Sequence, residues 1–142
     1  MPSDLTANRV AQWMNQATRK ITPKQLPQLF NETFKRLIGR AEPKLGVVVL
    51  TAILERVFYD GSQRYPMVSA LKSDALHIDF RETFKPESAS NEAEIRDAFE
   101  FVLVEFFSII DRLTGDLLTP ALYSELNNIL IDSSSNGQKE NV

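Results

Sequence analysis

The sequence contains no cysteine, which excludes disulfide bonds, cysteine nucleophiles and thiolate metal ligands together. Histidine is almost as scarce, because His77 is the single imidazole of the chain. A transition-metal site usually needs more nitrogen or sulfur donors than one residue can supply. We therefore expect no metal and no cofactor. Although Asp79 and Glu82 are close in sequence, we interpret His77 as a structural or surface residue.

Glycine is also rare, with five residues, and the chain has no phosphate loop, dinucleotide-binding turn or serine nucleophile elbow. Carboxylates do cluster on one predicted helix, at Glu92, Glu94, Asp97, Glu100, Glu105 and Asp111. No histidine follows them at the spacing of a di-iron site, and they alternate with apolar positions. We interpret them as a solvated face and predict that the protein is not an enzyme.

Long apolar runs are missing too. No stretch of about 18 or more apolar residues occurs, and the N-terminus lacks a basic region followed by an apolar one. The sequence therefore predicts neither a membrane span nor a secretory signal. Together with the absence of cysteine, this favours a cytoplasmic location and a protein that does not contact membranes.

What the sequence does contain is ordinary globular composition: 142 residues, 43% hydrophobic and 25% charged, which favours one domain with one core. The charge is uneven along the chain. Residues 1–58 carry nine Lys and Arg against four Asp and Glu, whereas residues 59–142 carry seven against fifteen. Attraction between the two halves explains this asymmetry better than a nucleic-acid surface does, because nucleic-acid domains are usually basic overall.

Two apolar patterns of helical spacing match each other at an offset of 72 residues. The paired positions are Phe34 and Phe106, Leu37 and Ile109, Ile38 and Ile110, Ala41 and Leu113, Leu45 and Leu117, Leu50 and Leu122, Leu54 and Leu126, Val57 and Ile129, and Phe58 and Leu130. Pro43 and Gly115 break the two patterns at the same offset. We read this as two αα-hairpins that bury their apolar faces against each other.

The predicted fold is all-α, with an antiparallel four-helix core built from two αα-hairpins and an N-terminal helix over residues 4–18. A single domain over 1–131 comprises hairpin one (22–59), a connecting segment (60–90) and hairpin two (91–131). Residues 132–142 are predicted to form a flexible tail.

Three local features refine this prediction. Residues 45–54 are apolar on every side, so we expect this helix to lie at the centre of the bundle, or at the centre and against a second subunit. We expect the helix to end at Gly61 as a left-handed cap. The alternating segment 76–80 reads as extended.

The helix predicted from residue 91 carries a second apolar stripe outside its core face, which is typical of a protein interface. We therefore predict an interface that includes Phe101, Leu103, Val104, Phe107, Val48 and Val49. The preferred function is a non-catalytic regulatory or signalling module acting by helix-mediated association with itself as a homodimer, or with another protein. The alternative is a sensory domain that binds an apolar small molecule or cofactor between the hairpins. Nucleic-acid binding is a minor third hypothesis.

Overall fold

A computed structural model describes the backbone of residues 4–19, 21–22, 25–66, 68, 92–115 and 117–140. Within these ranges every regular element is a helix, which confirms the all-α class: α1 (Asp4–Thr18), α2 (Leu26–Arg64), α3 (Glu92–Thr114) and α4 (Thr119–Glu140). His77 and the segment 76–80 lie outside the described residues.

The N-terminal helix α1 packs on the rest of its own chain. Val10, Trp13 and Met14 share one face and are buried. The indole N–H of Trp13 donates a hydrogen bond of 2.9 Å to the backbone carbonyl of Leu126 in α4. A helix of this length is marginal by itself, so this docked face is what stabilises it.

The long helix α2 consists of two limbs, residues 26–45 and 47–64, that fold back on each other. Gly46 leaves helical geometry at φ 82° and ψ 162°, a conformation essentially restricted to glycine. Phe30 stacks on Phe99 of α3 with ring centroids 3.7 Å apart, while a Cβ at Gly61 would lie 3.3 Å from Val102 of α3. A straight helix would separate Phe30 from Gly61 by about 46 Å, yet their contacts on α3 are about 4.5 Å apart. The chain therefore reverses at Gly46.

The first limb of α2 runs parallel to α3. Phe30 contacts Phe99, and Phe34 contacts Phe106 with ring centroids 5.4 Å apart, so the order of contacts is the same along both helices. Because the second limb reverses direction, it is antiparallel to α3. The four helical segments therefore form the predicted pair of hairpins.

The ends of the first hairpin differ from the prediction. Pro43 lies inside the first limb, where its missing N–H removes one backbone hydrogen bond close to the end of the limb. The second limb continues to Arg64, past Gly61, which has no positive φ. Gly61 is instead a buried helical residue that allows close approach, because a Cβ there would lie 3.1 Å from Val68. The prediction of a helix end at Gly61 is therefore wrong.

The central helix is α3, since α1, α2 and α4 all pack against it. Its buried apolar side chains are Ile95, Ala98, Phe99, Val102, Leu103, Val104, Phe106, Phe107 and Ile110. The prediction that the helix containing residues 45–54 is central and buried on every side is wrong, because Val47, Val48 and Val49 at its start are exposed. The alternative, that this helix lies at the centre and against a second subunit, stays a prediction. A helix sequence that is apolar on every side is equally consistent with full burial and with an exposed apolar surface.

One pair of positions that match at the 72-residue offset meets in the core, and both members of several other pairs are buried. Phe34 and Phe106 form an edge-to-face pair with an interplanar angle of 66°. Beyond the turns, both members of several pairs are buried: Leu50 and Leu122, Leu54 and Leu126, and Val57 and Ile129. The match fails at the turns, because Gly46 turns the first hairpin whereas Gly115 (φ 60°) turns the second three residues earlier in the shared register.

The last helix, α4, extends to Glu140. Its backbone is helical past residue 131, so the prediction of a helix end near residue 131 is wrong. The flexibility expected of residues 132–142 stays a prediction. Ser, Asn and Gly are weak helix formers, but a helix already formed from Thr119 adds residues without a new nucleation cost. Residues 141–142 lie outside the described residues.

Candidate interaction surface

Both hairpin turns lie at one end of the bundle. Starting from the contact between Phe34 and Phe106, the first limb of α2 and α3 continue in the same direction. Gly46 follows Phe34 after 12 residues, about 18 Å, and Gly115 follows Phe106 after nine residues, about 14 Å. We call this end of the bundle, formed by residues 42–50 and 111–119, the turn end.

The turn end is apolar and exposed to solvent. Its exposed large apolar side chains are Val47, Val48, Val49, Leu113 and Leu117. Val48 and Leu117 are the most open, at 83% and 88% exposure. A cluster of this kind is unusual on the surface of a monomeric protein and marks a candidate site of interaction.

The start of α1 adds a further apolar residue to this end. The guanidinium of Arg9 lies 4.3 Å over the ring of Tyr123, and Trp13 bonds to Leu126, so α1 runs parallel to α4. Leu5, one turn before Arg9, is therefore level with the start of α4 and is 67% exposed. Six of the eight strongly exposed large apolar side chains in the described part of the chain thus lie at the turn end.

The turns project beyond the packed core. A Cβ placed on Gly46 or Gly115 would meet no other atom within 4 Å. Leu45, which precedes Gly46, is half-buried, but Val47 and Val48 after it and Leu117 in the second turn are exposed. Their exposure follows from the backbone geometry of the two turns.

Charged side chains of both signs flank each turn. Glu42 and Lys44 precede the turn of the first hairpin, and Asp111 and Arg112 precede that of the second. The Thr119 hydroxyl donates a 3.1 Å hydrogen bond to a carboxylate oxygen of Asp111, which connects the end of α3 to the start of α4. The sequence between Gly115 and Leu117 adds Asp116, so the turn end holds three acids and two bases.

The structure places three of the predicted interface residues inside the monomer. Leu103 is fully buried, and Val104 and Phe107 are nearly so. Phe107 stacks on Tyr123 of α4 with ring centroids 4.7 Å apart, and Arg9 of α1 lies over the same tyrosine. The prediction of an outward face at these positions is wrong because all three side chains are buried within the monomer, Phe107 against Tyr123 of α4.

The other three predicted interface residues are accessible to different degrees. Phe101 is half-buried, with Tyr65 at 6.0 Å between ring centroids and the Arg64 guanidinium 5.2 Å from its ring. Val48 and Val49 are exposed. The structure therefore separates Phe101 from the two valines and groups the valines with residues of the second turn.

Four residues of this exposed apolar surface are not predicted as interface residues from the sequence. Leu113 and Leu117 belong to the apolar repeat, and no pattern distinguishes Leu5 or Val47. The available signal was the position of Leu117 between Gly115 and the next helix, in the turn itself. Since the second turn begins earlier in the register than the first, Leu117 is not the structural equivalent of the half-buried Leu45.

A shallow groove separates α1 from α4. It has a volume of about 150 Å³, and Arg9, Gln12, Trp13, Tyr123, Leu126 and Asn127 are among its lining residues. Sites for drug-sized ligands typically measure about 300–1,000 Å³. This groove is smaller, is partly polar and does not lie between the two hairpins. The alternative of an apolar ligand held between the hairpins stays a prediction.

Two carboxyl groups on α3 have perturbed titration. Burial raises the pKa of Glu105 above its ordinary value, the adjacent Asp60 raises it further, and Arg112 opposes the shift. Burial also raises the pKa of Glu100, with Asp97 acting in the same direction. Among the described residues, no group of three or more acidic or histidine side chains could hold a metal ion.

Ion pairing connects the two hairpins at a separate position. A carboxylate oxygen of Glu125 in α4 accepts a 2.9 Å hydrogen bond from Arg36 Nε, and Arg40 lies 3.9 Å from its other oxygen. Glu125 itself is buried. This contact pairs arginines of the basic first half of the chain with a glutamate of the acidic second half within the fold.

Comparison of the chain with protein-family models, with curated proteins and with solved structures found no match. None of the helices in the described ranges is long and apolar enough to cross a membrane. The candidate surface therefore has to be interpreted from its own composition and geometry.

Proposed function

We propose that the protein is a non-catalytic regulatory or signalling module of the cytoplasm, and that it works by associating with another protein chain through the turn end. The observation that carries this proposal is the grouping of Val48, Leu113 and Leu117, all strongly exposed, at one end of an otherwise well-buried bundle. Contiguous exposed apolar surface is typical of sites that bind proteins.

Helix ends provide the contact in this proposal, instead of the face of α3 that the sequence predicts. Residues Leu103 and Phe107 are occupied inside the monomer, so they contribute to the fold. Val48 and Val49 keep the role predicted for them.

Site-specific photo-crosslinking tests this proposal. A photoreactive amino acid is incorporated at position 48 or 117 of the protein in cells that produce it. Illumination should then give discrete covalent adducts between this protein and its partner chain. The matched control is position 59, because Tyr59 is also 64% exposed but lies 13 residues beyond the turn at Gly46. The proposal is wrong if positions 48 and 117 give no adducts, or if position 59 gives the same ones.

A further inference from the structure

We infer that the partner at the turn end is a second copy of this chain, and that the two bundles meet end to end about a two-fold axis. This inference rests on the proposed function and names the partner for the same surface. In such an isologous contact the same patch is used on both copies, so the patch must be complementary to itself.

The charges at the turn end meet this requirement. The first turn carries Glu42 and Lys44, and the second carries Asp111, Arg112 and Asp116, which makes three acids and two bases. A two-fold rotation can bring acids of one copy towards the bases of the other. A nucleic acid or an anionic membrane would require a surplus of basic residues, which these five side chains do not provide.

The size of the turn end also fits another copy. Five helical segments have an end in this region, namely α1, the two limbs of α2, α3 and α4. Each helix is about 10 Å across. At the interaxial spacing of packed helices, their ends together cover roughly 500 Å² per copy. Two such surfaces would bury about 1,000 Å² together, near the lower limit for a specific interface. We therefore expect a reversible dimer whose dissociation constant lies in the micromolar range.

End-to-end pairing predicts an elongated particle. The central helix α3 has 23 residues, equivalent to about 35 Å. Two bundles joined at their turn ends would therefore have a maximum dimension close to twice that of the monomer. Pairing side by side would leave the maximum dimension nearly unchanged.

The test combines sedimentation equilibrium with small-angle X-ray scattering, each from about 1 to 300 µM protein. The wild-type chain should pass from monomer to dimer, with the maximum dimension rising about twofold. Val48→Asp and Leu117→Asp should weaken dimerisation at least tenfold. Tyr59→Asp, the control at an exposed position away from the turns, should dimerise like the wild type.

Val48→Asp should keep its fold, because position 48 lies in the first turn of the second limb of α2, where an acid interacts favourably with the helix dipole. Circular dichroism melts of all three variants check this directly. Leu117→Asp changes a turn residue of 88% exposure and provides an independent reading if the first variant is unstable.

Three results would overturn the inference: a wild-type chain that stays monomeric over the whole range, a dimer of unchanged maximum dimension, or turn-end variants that dimerise normally. Binding of the wild type, but not of Val48→Asp, to anionic phospholipid vesicles by a monomer would also overturn it in favour of a lipid surface. Adducts of a different protein at position 48, with a monomeric wild type, would reject self-pairing while leaving the proposed function intact.

Discussion

Replacing Gly46 by alanine should destabilise the protein through the backbone alone. Gly46 has φ 82° and ψ 162°, and a non-glycine residue held in such a region costs about 1–3 kcal/mol. A Cβ at this position meets no atom within 4 Å, so no steric clash with the rest of the protein adds to that cost. The lower entropy of the unfolded alanine chain returns about 0.4–1 kcal/mol. We therefore expect a net loss of about 1–2 kcal/mol.

Gly39→Ala is the matched control. Gly39 lies within the first limb of the same helix, has no positive φ, and would also place its Cβ in open space. Alanine at a helix-interior position is favoured over glycine by about 0.5–1 kcal/mol. The two identical chemical changes should therefore shift stability in opposite directions.

Urea unfolding followed by circular dichroism measures both variants. Each must be compared with the wild type at one protein concentration, because the stability of an associating protein depends on concentration. Size-exclusion chromatography should accompany it, since a straightened α2 would open the hairpin and favour domain swapping. A monomeric Gly46→Ala variant with unchanged or raised stability would refute the reversal of the chain at this residue.

The remaining predictions concern charged groups. Arg36→Ala should lower the free energy of unfolding by about 1–2 kcal/mol, because it leaves the buried Glu125 carboxylate without its 2.9 Å partner. Arg56→Ala, at the exposed pair with Asp60, should lower it by at most about 0.5 kcal/mol. Equal losses of the two variants in urea unfolding would contradict this. The contribution of Glu105 to stability should fall as pH rises from the ordinary glutamate pKa through the raised pKa of Glu105, because in that window the folded state holds the proton more tightly. Glu105→Gln should flatten that slope, and an unchanged slope would reject the assignment.

Helical periodicity was sufficient to predict the class of the fold and its pairing of hairpins. The clearest instance is the contact between Phe34 and Phe106, two residues that the sequence relates only by their spacing. Periodicity reports which side chains share a face of one helix. It does not report whether another element covers a second apolar face, and for this reason it predicts an interface at Leu103 and Phe107, which are buried in the monomer.

The positions of the two turns could not be predicted from helical periodicity. Pro43 is a stronger sequence signal for a break than Gly46, but a proline near the end of a helix loses only one backbone hydrogen bond, whereas the reversal needs a positive φ. The backbone geometry of the two turns places Val48 and Leu117 at the same end of the bundle. Sequence spacing placed Leu117 in a core stripe, so the candidate surface could be predicted only in part.

The reversal of α2 is the claim on which the turn end and its function depend, and a distance measured between spin labels tests it most directly. The chain has no cysteine, so Gln28→Cys and Gln63→Cys, both at exposed helical positions, provide two unique labelling sites. Limbs that pack as neighbouring helices predict a label separation below about 30 Å. A distance near 52 Å, which a straight helix over the same 35 residues would give, would contradict the hairpin and with it the shared turn end.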